Sequence, residues 1–396
     1  MYSTIQIQQL SAMDLNLDSL LNIADTTVDR MTKEEHQITL KLRFLHEKAT
    51  CPHCNQISEE LHQNRPILIR DLSIFGKNVY LETPRRQFYC QHCQRYFTER
   101  LTFADWERRY TQRYEEYIYE RVQSTSIEQV RRDESLSWDQ VQGIFKRQFE
   151  LKKKDDWQGA KRISIDEVSQ KKGQGNFVTV VCNIESGKLL EVIDSHKQEE
   201  IIEVLKQQPF EIREQVEEVS VDMWGGFPKV VKVVFPNAKI VIDRFHVMQP
   251  VIKELNKIRQ QAKITIKGCR FILLKNKIDL TEEQKVKLED ILKKSKRLRL
   301  AYNLKEDFRN IFETCKTPEE GHEQLQAWIK KAHSVYGKVL ETITTHLDGI
   351  CNYFSHRTTS GVMEGINNRI KLIKRQAYGF VNFVNFRSRL LACLSH

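Results

Sequence analysis

Two matched pairs of cysteines constrain the fold of this chain more than any other feature. Cys51 and Cys54 form one Cys-x-x-Cys knuckle, and Cys90 and Cys93 form a second one. Two such knuckles on hairpin turns can surround a zinc ion with four thiolates. The histidines inside the knuckles are alternative ligands, but four cysteines suffice. A redox-active pair would need a thioredoxin-like βαβ context, which is missing here. We therefore predict a zinc ribbon whose metal is structural.

The N-terminal region around these pairs has the pattern of short strands. Gln37–Phe44 alternates apolar and polar residues, and Ile67–Leu72 and Asn78–Glu82 are two further strand-like runs with a turn at Phe75 between them. The lead from Ala12 to Ile23 is helix-like. We expect a small β-rich module built around the zinc site.

Composition narrows the class of protein. A chain of 396 residues suggests two to four domains. Its nine cysteines occur with no signal-peptide pattern and no apolar run of about 18 residues. We expect reduced thiols and a cytoplasmic protein that associates with the nucleoid when bound to DNA.

The positive charge of the chain is unevenly distributed. The formal net charge is +10, and residues 251–300 hold 15 Lys/Arg against 6 Asp/Glu. Clustered positive charge favours a polyanionic partner through release of counterions. A lysine-rich, solvated helix surface is the alternative interpretation of the same pattern.

The second half of the chain has the pattern of a mixed α/β domain. The strand-like runs are Ile163–Ile165, Phe177–Asn183, Leu189–Ile193, Val216–Val221 and Lys239–Ile242. Helices are predicted at Gln198–Gln207 and Lys229–Val234. Three strands in a meander, followed by alternating helix and strand, is the order of an RNase H-like fold. We therefore predict a multidomain α/β protein with an RNase H-like core, in which the first and fourth strands are neighbours.

Three carboxylates stand where such a core could use them. Asp166 and Asp222 end two of the strand-like runs, and Glu364 lies in a late, basic, helix-like stretch. Together they can hold two Mg²⁺ or Mn²⁺ ions against a phosphodiester, which is the chemistry of cutting and joining nucleic acid strands. Any one of these carboxylates could instead be a helix cap or a surface charge. Glu167 ranks lower because successive strand residues point to opposite faces.

Three residues near this trio are predicted to support it. Asp243 also ends a strand-like run and could replace Asp222 as a ligand, while His246 could orient a phosphate or a ligand. A buried, hydrogen-bonded histidine is the more common outcome. Trp224 follows Asp222 beside two glycines, which permit close approach of the backbone to DNA, although it could equally be a core aromatic.

Residues 126–145 have the pattern of a helix-turn-helix. Ser126 and Ser137 are candidate N-caps, and apolar residues recur at helical spacing behind each. The second helix would present Gln140, Gln142 and Lys146 to a major groove. Plain packing of two helices in a bundle gives a similar pattern.

A basic stretch follows the candidate glutamate. Its cations are Arg369, Lys371, Lys374 and Arg375. They are expected to bind DNA phosphates beside the metal site. The alternative is an amphipathic C-terminal helix with a basic outer face.

Taken together, these motifs resemble the ISL-three family of bacterial insertion-sequence transposases. The resemblance rests on the cysteine ribbon, the helix-turn-helix ending near Phe149, Ser164-Ile-Asp-Glu-Val-Ser169, Val221-Asp-Met-Trp224, Asp243-Arg-Phe-His246, and Glu364-Gly-Ile-Asn-Asn-Arg-Ile-Lys371 continued by Lys374-Arg-Gln-Ala-Tyr-Gly-Phe380. It implies a DDE transposase that binds the terminal inverted repeats of its element and cuts and rejoins DNA. It also implies that Asp166, Asp222 and Glu364 are the catalytic triad.

These observations lead to one predicted organisation. The predicted domains are 1–105 with the zinc ribbon, 106–155 with the helix-turn-helix and linker, 156–250 with the first part of the core, 251–350 with a basic helical insertion, and 351–396 with the last part of the core and its basic tail. We expect double-stranded DNA as the partner and a homodimer or higher assembly on it. The alternatives are an RNase H-like nuclease or resolvase that does not join strands, and a DNA-binding regulator with a degenerate core.

Overall fold

The computed structural model describes residues 17–152, 157–169, 177–223 and 226–395. The chain divides into two compact units, Met1–Lys152 and Lys153–His396. None of the described helices has both the length and the apolar character needed to cross a membrane.

The N-terminal unit begins with a short helix and a series of strands. They are α1 (Leu17–Leu21), β1 (Thr26–Lys33), β2 (Gln37–Phe44), β3 (Ala49–Thr50), β4 (Ile57–Ser58), β5 (Leu61–Asn64), β6 (Ile67–Ile74), β7 (Lys77–Thr83), β8 (Arg86–Cys90) and β9 (Arg95–Thr98). They form sheets in the orders β1-β2-β7-β6, β3-β4 and β5-β8-β9. The strand predictions for β2, β6 and β7 are confirmed. Residues 12–16 of the predicted lead helix lie outside the described residues.

Alternation of apolar residues explains the first sheet. Leu40 and Leu42 on β2 face the same core as Val79 and Leu81 on β7, and all four are buried. Their period of two residues places one face of each strand inside. The β6–β7 connection turns at Phe75 and Gly76, both with positive φ, a conformation that glycine adopts without steric cost.

Three helices complete the N-terminal unit. They are α2 (Gln112–Ser124), α3 (Ile127–Asp133) and α4 (Trp138–Lys152). The predicted N-caps are confirmed: the Ser126 side chain accepts from the Gln129 backbone N–H at 3.1 Å, and the Ser137 side chain accepts from the Gln140 N–H at 3.2 Å. The apolar faces of α3 and α4 are buried, with Val130 and Ile144 at 0% exposure.

A buried polar cluster ties these helices to the first sheet. Glu134, at the end of α3, accepts from the Arg70 guanidinium of β6 at 3.2 Å and from the Tyr114 hydroxyl of α2 at 3.0 Å. Arg70 also donates to Asn78 at 2.8 Å. Because the charge of Glu134 is compensated inside the protein, it adds no exposed negative charge to the helix-turn-helix.

The C-terminal unit is built on a five-stranded mixed sheet. Its strands are β10 (Arg162–Ser169), β11 (Phe177–Asn183), β12 (Leu189–Ile193), β13 (Glu218–Val221) and β14 (Lys239–Ile242). Their order is β12-β11-β10-β13-β14. The strand β11 pairs antiparallel with both β10 and β12, whereas β13 pairs parallel with both β10 and β14. The predicted pairing of the first strand with the fourth is confirmed.

Helices cover this sheet and continue beyond it. They are α5 (Gln198–Leu205), α6 (Phe210–Glu214), α7 (Phe227–Val234), α8 (Arg244–Gln261), α9 (Cys269–Leu274), α10 (Glu282–Lys293), α11 (Lys296–Thr314), α12 (Pro318–Thr345), α13 (Leu347–His356), α14 (Gly361–Gln376) and α15 (Phe383–Leu394). A 3₁₀ turn occupies Lys277–Asp279. The helix α8 begins before residue 251 and α13 ends after residue 350, so neither predicted limit of the helical insertion coincides with the end of a helix. Those limits remain a prediction.

The helical part and the sheet share one hydrophobic core. A single buried cluster contains residues from β10 through α13. The edge strand β14 is covered by α13, whose Asn352 side chain donates to the Ile240 carbonyl at 2.8 Å. Gly349 allows this close approach, since a Cβ there would lie 3.0 Å from the Ile242 side chain. Covering β14 in this way occupies an otherwise open sheet edge.

Candidate functional site

The four predicted zinc ligands meet in the N-terminal unit. The Sγ distances are 3.5 Å for Cys51–Cys93, 3.6 Å for Cys54–Cys90, 3.3 Å for Cys54–Cys93 and 3.4 Å for Cys90–Cys93. A tetrahedral ion with Zn–S bonds of about 2.3 Å separates its sulfurs by about 3.8 Å, whereas a disulfide needs about 2.05 Å. This donor set therefore fits zinc.

The two knuckles have matching backbone geometry. Asn55 follows the second cysteine of the first knuckle with φ 56°, and Gln94 follows that of the second with φ 52°. The backbone N–H of Cys93 lowers the pKa of Cys90 to about 6, which favours the thiolate that zinc requires. His53 and His92 are exposed and lie outside the cluster. Four thiolates would therefore suffice to hold the ion.

Three aspartates lie in one row on neighbouring parallel strands of the C-terminal unit, Asp166 within β10 and Asp222 and Asp243 directly after β13 and β14. Ile165 pairs with Val221, and Val221 pairs with Ile242, in parallel register. Asp166, Asp222 and Asp243 are the next residues along these strands. Since neighbouring strands lie about 4.8 Å apart, their carboxylates emerge along one edge.

Asp166 is held by the helix that carries Glu364. Its Oδ2 accepts from the Asn367 side-chain amide of α14 at 2.7 Å, and its Oδ1 accepts from the Glu167 backbone N–H at 2.8 Å. Glu364 lies three residues before Asn367, and residues at that spacing share one helix face. The second turn of α14 therefore lies beside the middle of β10, at Asp166.

Asp222 is held from another direction. Its Oδ1 lies 3.2 Å from His246 Nδ1, in the first turn of α8, and accepts from the Met223 N–H at 2.6 Å. Its side chain is 40% exposed. Trp224, predicted to support this residue, lies outside the described residues. His246 is thus an observed partner of the candidate ligand.

Asp243 has a different environment. It is 4% exposed, and its Oδ1 caps α8 by accepting from the Phe245 N–H at 3.1 Å. Its Oδ2 accepts from the Ser360 N–H at 2.8 Å and from the Ser360 hydroxyl. Since Ser360 directly precedes α14, this carboxylate fixes where that helix begins. Its hydrogen bonds suit a positioning role.

Glu364 is exposed in the first turn of α14. It lines a cavity of about 440 Å³ together with Asp243, Arg309 and Tyr353. Among the described residues, the four cysteines form the group of potential metal ligands whose ligand atoms all lie within 4.8 Å of one another. The structure therefore brings Asp166 and Asp222 to one edge with α14 beside them, but it does not gather the three carboxylates that tightly.

Two residues of this site, Asn367 and Ser360, were not among the predicted ones, and a third, Glu167, was ranked below Asp166. Asn367 and Ser360 act through contacts across more than 100 positions of sequence, although Asn367 stands one helical turn after Glu364. Glu167 has a buried Oε1 without a hydrogen-bond partner among the described residues. Burial raises its pKa, and the carboxylates of Asp166 and Asp222 raise it further.

The basic residues of α14 fall into two groups. Lys374 donates to the Ser169 carbonyl at 2.6 Å, and burial lowers its pKa. Arg369 donates to the Cys393 carbonyl at 3.0 Å. Arg369, Lys371 and Arg375 are all exposed. Lys374 thus anchors α14 to β10 and Arg369 links α14 to α15, while Arg369, Lys371 and Arg375 present charge to solvent.

The predicted reading helix α4 exposes part of its expected surface. Lys146 and Gln140 are exposed, but Gln140 Oε1 also accepts from the Ser137 N–H at 2.7 Å and so completes a helix cap. Gln142 is half-buried. Of the three predicted base-contacting residues, Lys146 is the one whose exposure is combined with positive charge.

A zinc-binding module, a helix-turn-helix and a mixed sheet with an acidic edge define a class of DNA-processing protein. Residues 47–93 match the zinc-finger of transposase IS204/IS1001/IS1096/IS1165, and residues 99–148 match the helix-turn-helix domain of transposase family ISL3. Residues 163–390, more than half of the chain, match the transposase domain of that family. The chain belongs to the ISL3 family of transposases. The predicted zinc ribbon and helix-turn-helix are confirmed, and these domains imply DNA binding.

Individual relatives agree with this assignment. The transposase for insertion sequence element IS1001 of Bordetella parapertussis is 27% identical over 346 residues, covering 83% of this chain and 85% of that protein. The transposase for insertion sequence element IS1557 of Mycobacterium tuberculosis is 29% identical over 282 residues, covering 62% and 63%. A protein of Lactococcus lactis named ATP-dependent protease is 33% identical over 117 residues, covering 30% and 36%. That last match is too short to transfer an activity.

Proposed function

We propose that this transposase binds the terminal inverted repeats of an insertion sequence and catalyses metal-dependent cleavage and strand transfer by a DDE mechanism. The observation that carries the proposal is the row formed by Asp166 within β10 and by Asp222 and Asp243 directly after β13 and β14, with Asn367 of α14, the helix of Glu364, bonded to Asp166. The strand order, with an antiparallel meander followed by two parallel strands, supports an RNase H-like core.

Asp166, Asp222 and Glu364 are the proposed ligands of two Mg²⁺ or Mn²⁺ ions. Such ions would activate the attacking water or 3′-hydroxyl and stabilise the leaving oxygen. Asn367 and His246 now donate to, or lie against, the carboxylates that would bind them. Cation binding therefore competes with these two contacts, which hold the aspartates in place.

The remaining parts of the chain would bind and position DNA. Lys146, with Gln140 and Gln142, is proposed to contact the inverted repeats from α4. Arg369, Lys371 and Arg375 are proposed to bind phosphates near the cleavage site. Both ends of an element must be held together to be moved as one, so we propose a homodimer or higher assembly on DNA. The domain limits given above are part of this proposal.

End cleavage tests the enzyme proposal. Purified protein is incubated with Mg²⁺ and a duplex carrying the DNA that flanks its own gene, and nicked products are resolved on denaturing gels. Asp166→Asn, Asp222→Asn and Glu364→Gln should each reduce cleavage to background while DNA affinity is retained. Glu341→Gln, an exposed carboxylate of α12, is the matched control and should cut normally. Cleavage by all three site variants at the wild-type rate would refute the mechanism.

Strand joining is tested separately. Precut ends are incubated with a supercoiled plasmid, and joined products are detected by gel shift and sequencing of junctions. Joined product with wild type and none with Glu364→Gln is the expected result. Cleavage without any joining would favour a nuclease or resolvase, and binding without cleavage would favour a regulator.

A further inference from the structure

The turn between α14 and α15 presents two large apolar side chains almost entirely to solvent. Tyr378 is 96% exposed and Val381 is 102% exposed. We call residues 377–382 the apolar tip. Val384, at the start of α15, is 59% exposed and extends the apolar surface. A surface of this kind needs an explanation because apolar side chains are stabilised by burial.

Hydrogen bonds fix the conformation of the apolar tip. The Gly379 N–H donates to the Lys374 carbonyl at 2.9 Å and the Tyr378 N–H donates to the Arg375 carbonyl at 3.1 Å, which closes α14. The Asn382 side chain accepts from the Val384 N–H at 2.8 Å and opens α15.

Packing and backbone geometry separate the inward from the outward side chains of the apolar tip. The Phe380 ring packs inward against Phe386, with ring centroids 5.2 Å apart. Tyr378 adopts φ 54°, a left-handed conformation that is unfavourable for a bulky residue. The turn thus holds Phe380 inside and Tyr378 outside at a conformational cost.

The positive charge around the apolar tip favours a nucleic acid as its partner. Residues 365–396 contain six Lys/Arg and no Asp/Glu. Three of these cations, Arg369, Lys371 and Arg375, are exposed on α14. A second copy of this surface would place cations against cations, whereas a nucleic acid offers phosphates to the cations and base faces to Tyr378. Paired duplex hides those faces, so the tip fits DNA with an unstacked base.

The helix α14 sets the distance from the apolar tip to the proposed cleavage site. Twelve of the 14 positions from Glu364 to Tyr378 lie within α14 and span about 18 Å, and the two-residue turn beyond it brings the separation to about five to six base pairs of DNA. The Lys374–Ser169 hydrogen bond holds the end of α14 against the end of β10, the strand of Asp166. The tip and the acidic edge therefore belong to one fixed frame.

We propose that Tyr378, flanked by Val381, stacks on an unpaired base about five to six base pairs from the scissile phosphate. This inference rests on the proposed cleavage function for its position along the DNA. It assigns to the tip the recognition of distorted DNA, which neither the acidic edge nor the helix-turn-helix supplies.

Binding measurements test the proposal. The probes are the flanking-DNA duplex, fully paired, and the same duplex with two mismatched positions about five to six base pairs from the cut. Fluorescence anisotropy should show wild type binding the mismatched duplex about tenfold or more tightly, as expected for one stacked base. Tyr378→Ala should lose this preference, and Tyr378→Phe should keep it. Phe75→Ala, equally exposed at 97% in the N-terminal unit, is the matched control and should also keep it.

Other outcomes overturn one proposal or the other. Retention of the preference by Tyr378→Ala, or its absence in a wild type that cleaves, would refute base stacking. A preference in a wild type that does not cleave with Mg²⁺ would refute the proposed function and leave the stacking in place. If Tyr378→Ala converts a DNA-free dimer to monomer in light scattering, the tip is an interface between copies, and the base-stacking proposal is wrong.

Discussion

Removal of one hydroxyl group at the start of α14 should separate positioning from stability. Ser360 donates from its backbone N–H and its hydroxyl to the buried Asp243 carboxylate. Ser360→Ala keeps the first hydrogen bond and removes the second. Glu364 lies one helical turn after Ser360. The substitution therefore changes the position of Glu364 without altering its side chain.

The size of the effect follows from the kind of hydrogen bond that is lost. A hydrogen bond to a charged acceptor contributes about 1.5–3 kcal/mol. If that energy holds the first turn of α14 in place, the population with Glu364 correctly positioned falls by roughly ten- to hundredfold. The effect is limited to this range because Asp243 retains its bonds to the backbone N–H groups of Ser360 and Phe245.

A matched serine elsewhere provides the control. Ser295 caps α11 by accepting from the Leu298 N–H at 3.2 Å, and its loss should cost about 0.5–2 kcal/mol of stability. Urea unfolding followed by circular dichroism measures stability, and single-turnover cleavage with saturating DNA measures the positioned population. Ser360→Ala should slow cleavage roughly ten- to hundredfold with unchanged DNA affinity, whereas Ser295→Ala should cut at nearly the wild-type rate. Equal cleavage rates for the two variants at similar stability would refute the argument.

Further predictions concern the zinc ribbon, the helical core and the pH dependence of stability. Cys90→Ser should lower the zinc content of purified protein from about one ion per chain toward none, measured by atomic emission; full retention would contradict the ribbon. Gly321→Ala should destabilise by about 1–3 kcal/mol because the new Cβ would lie 2.2 Å from a phenylalanine ring of α13, while Gly337→Ala in the same helix meets no atom within 4 Å and should be neutral or stabilising. A hydrogen bond from Gln112 lowers the pKa of Asp105, so the stability it confers is present above the unfolded pKa and is lost as pH falls through the lower folded one. The difference in unfolding free energy between wild type and Asp105→Asn should therefore shrink as pH falls below about 4, the ordinary pKa of an aspartate, in urea titrations, and a constant difference would contradict this.

Local patterns determined which elements could be predicted. The strands β2 and β14 were placed at their observed limits because a continuous alternating or β-branched run begins and ends at those residues. The strand β13 begins at Glu218, two residues later than predicted, because Val216 is a buried loop residue and not part of the sheet. Periodicity identifies burial, but hydrogen bonding to a neighbour decides where a strand begins.

The residues of the functional sites show the same difference between local patterns and long-range contacts. The zinc cysteines were predictable because two short spacings already bring the thiolates into pairs. Ser360 and Asn367 were not predictable, since each acts on an aspartate more than 100 positions away. The same distance explains Lys374, which looked like a phosphate contact in sequence but donates to the Ser169 carbonyl.

Three contacts along α14 explain how a distant glutamate can be kept in register with the sheet. Ser360 before the first turn bonds to Asp243, Asn367 in the second turn bonds to Asp166, and Lys374 near the last turn bonds to the Ser169 carbonyl. These contacts lie seven residues apart, which is close to two helical turns, so all three fall on one face. A helix attached at such intervals cannot rotate or slide without breaking more than one contact. Glu364 can then approach Asp166 and Asp222 by rotation about its own side-chain torsions. Such a rotation leaves the spacing between the acidic edge and the apolar tip unchanged.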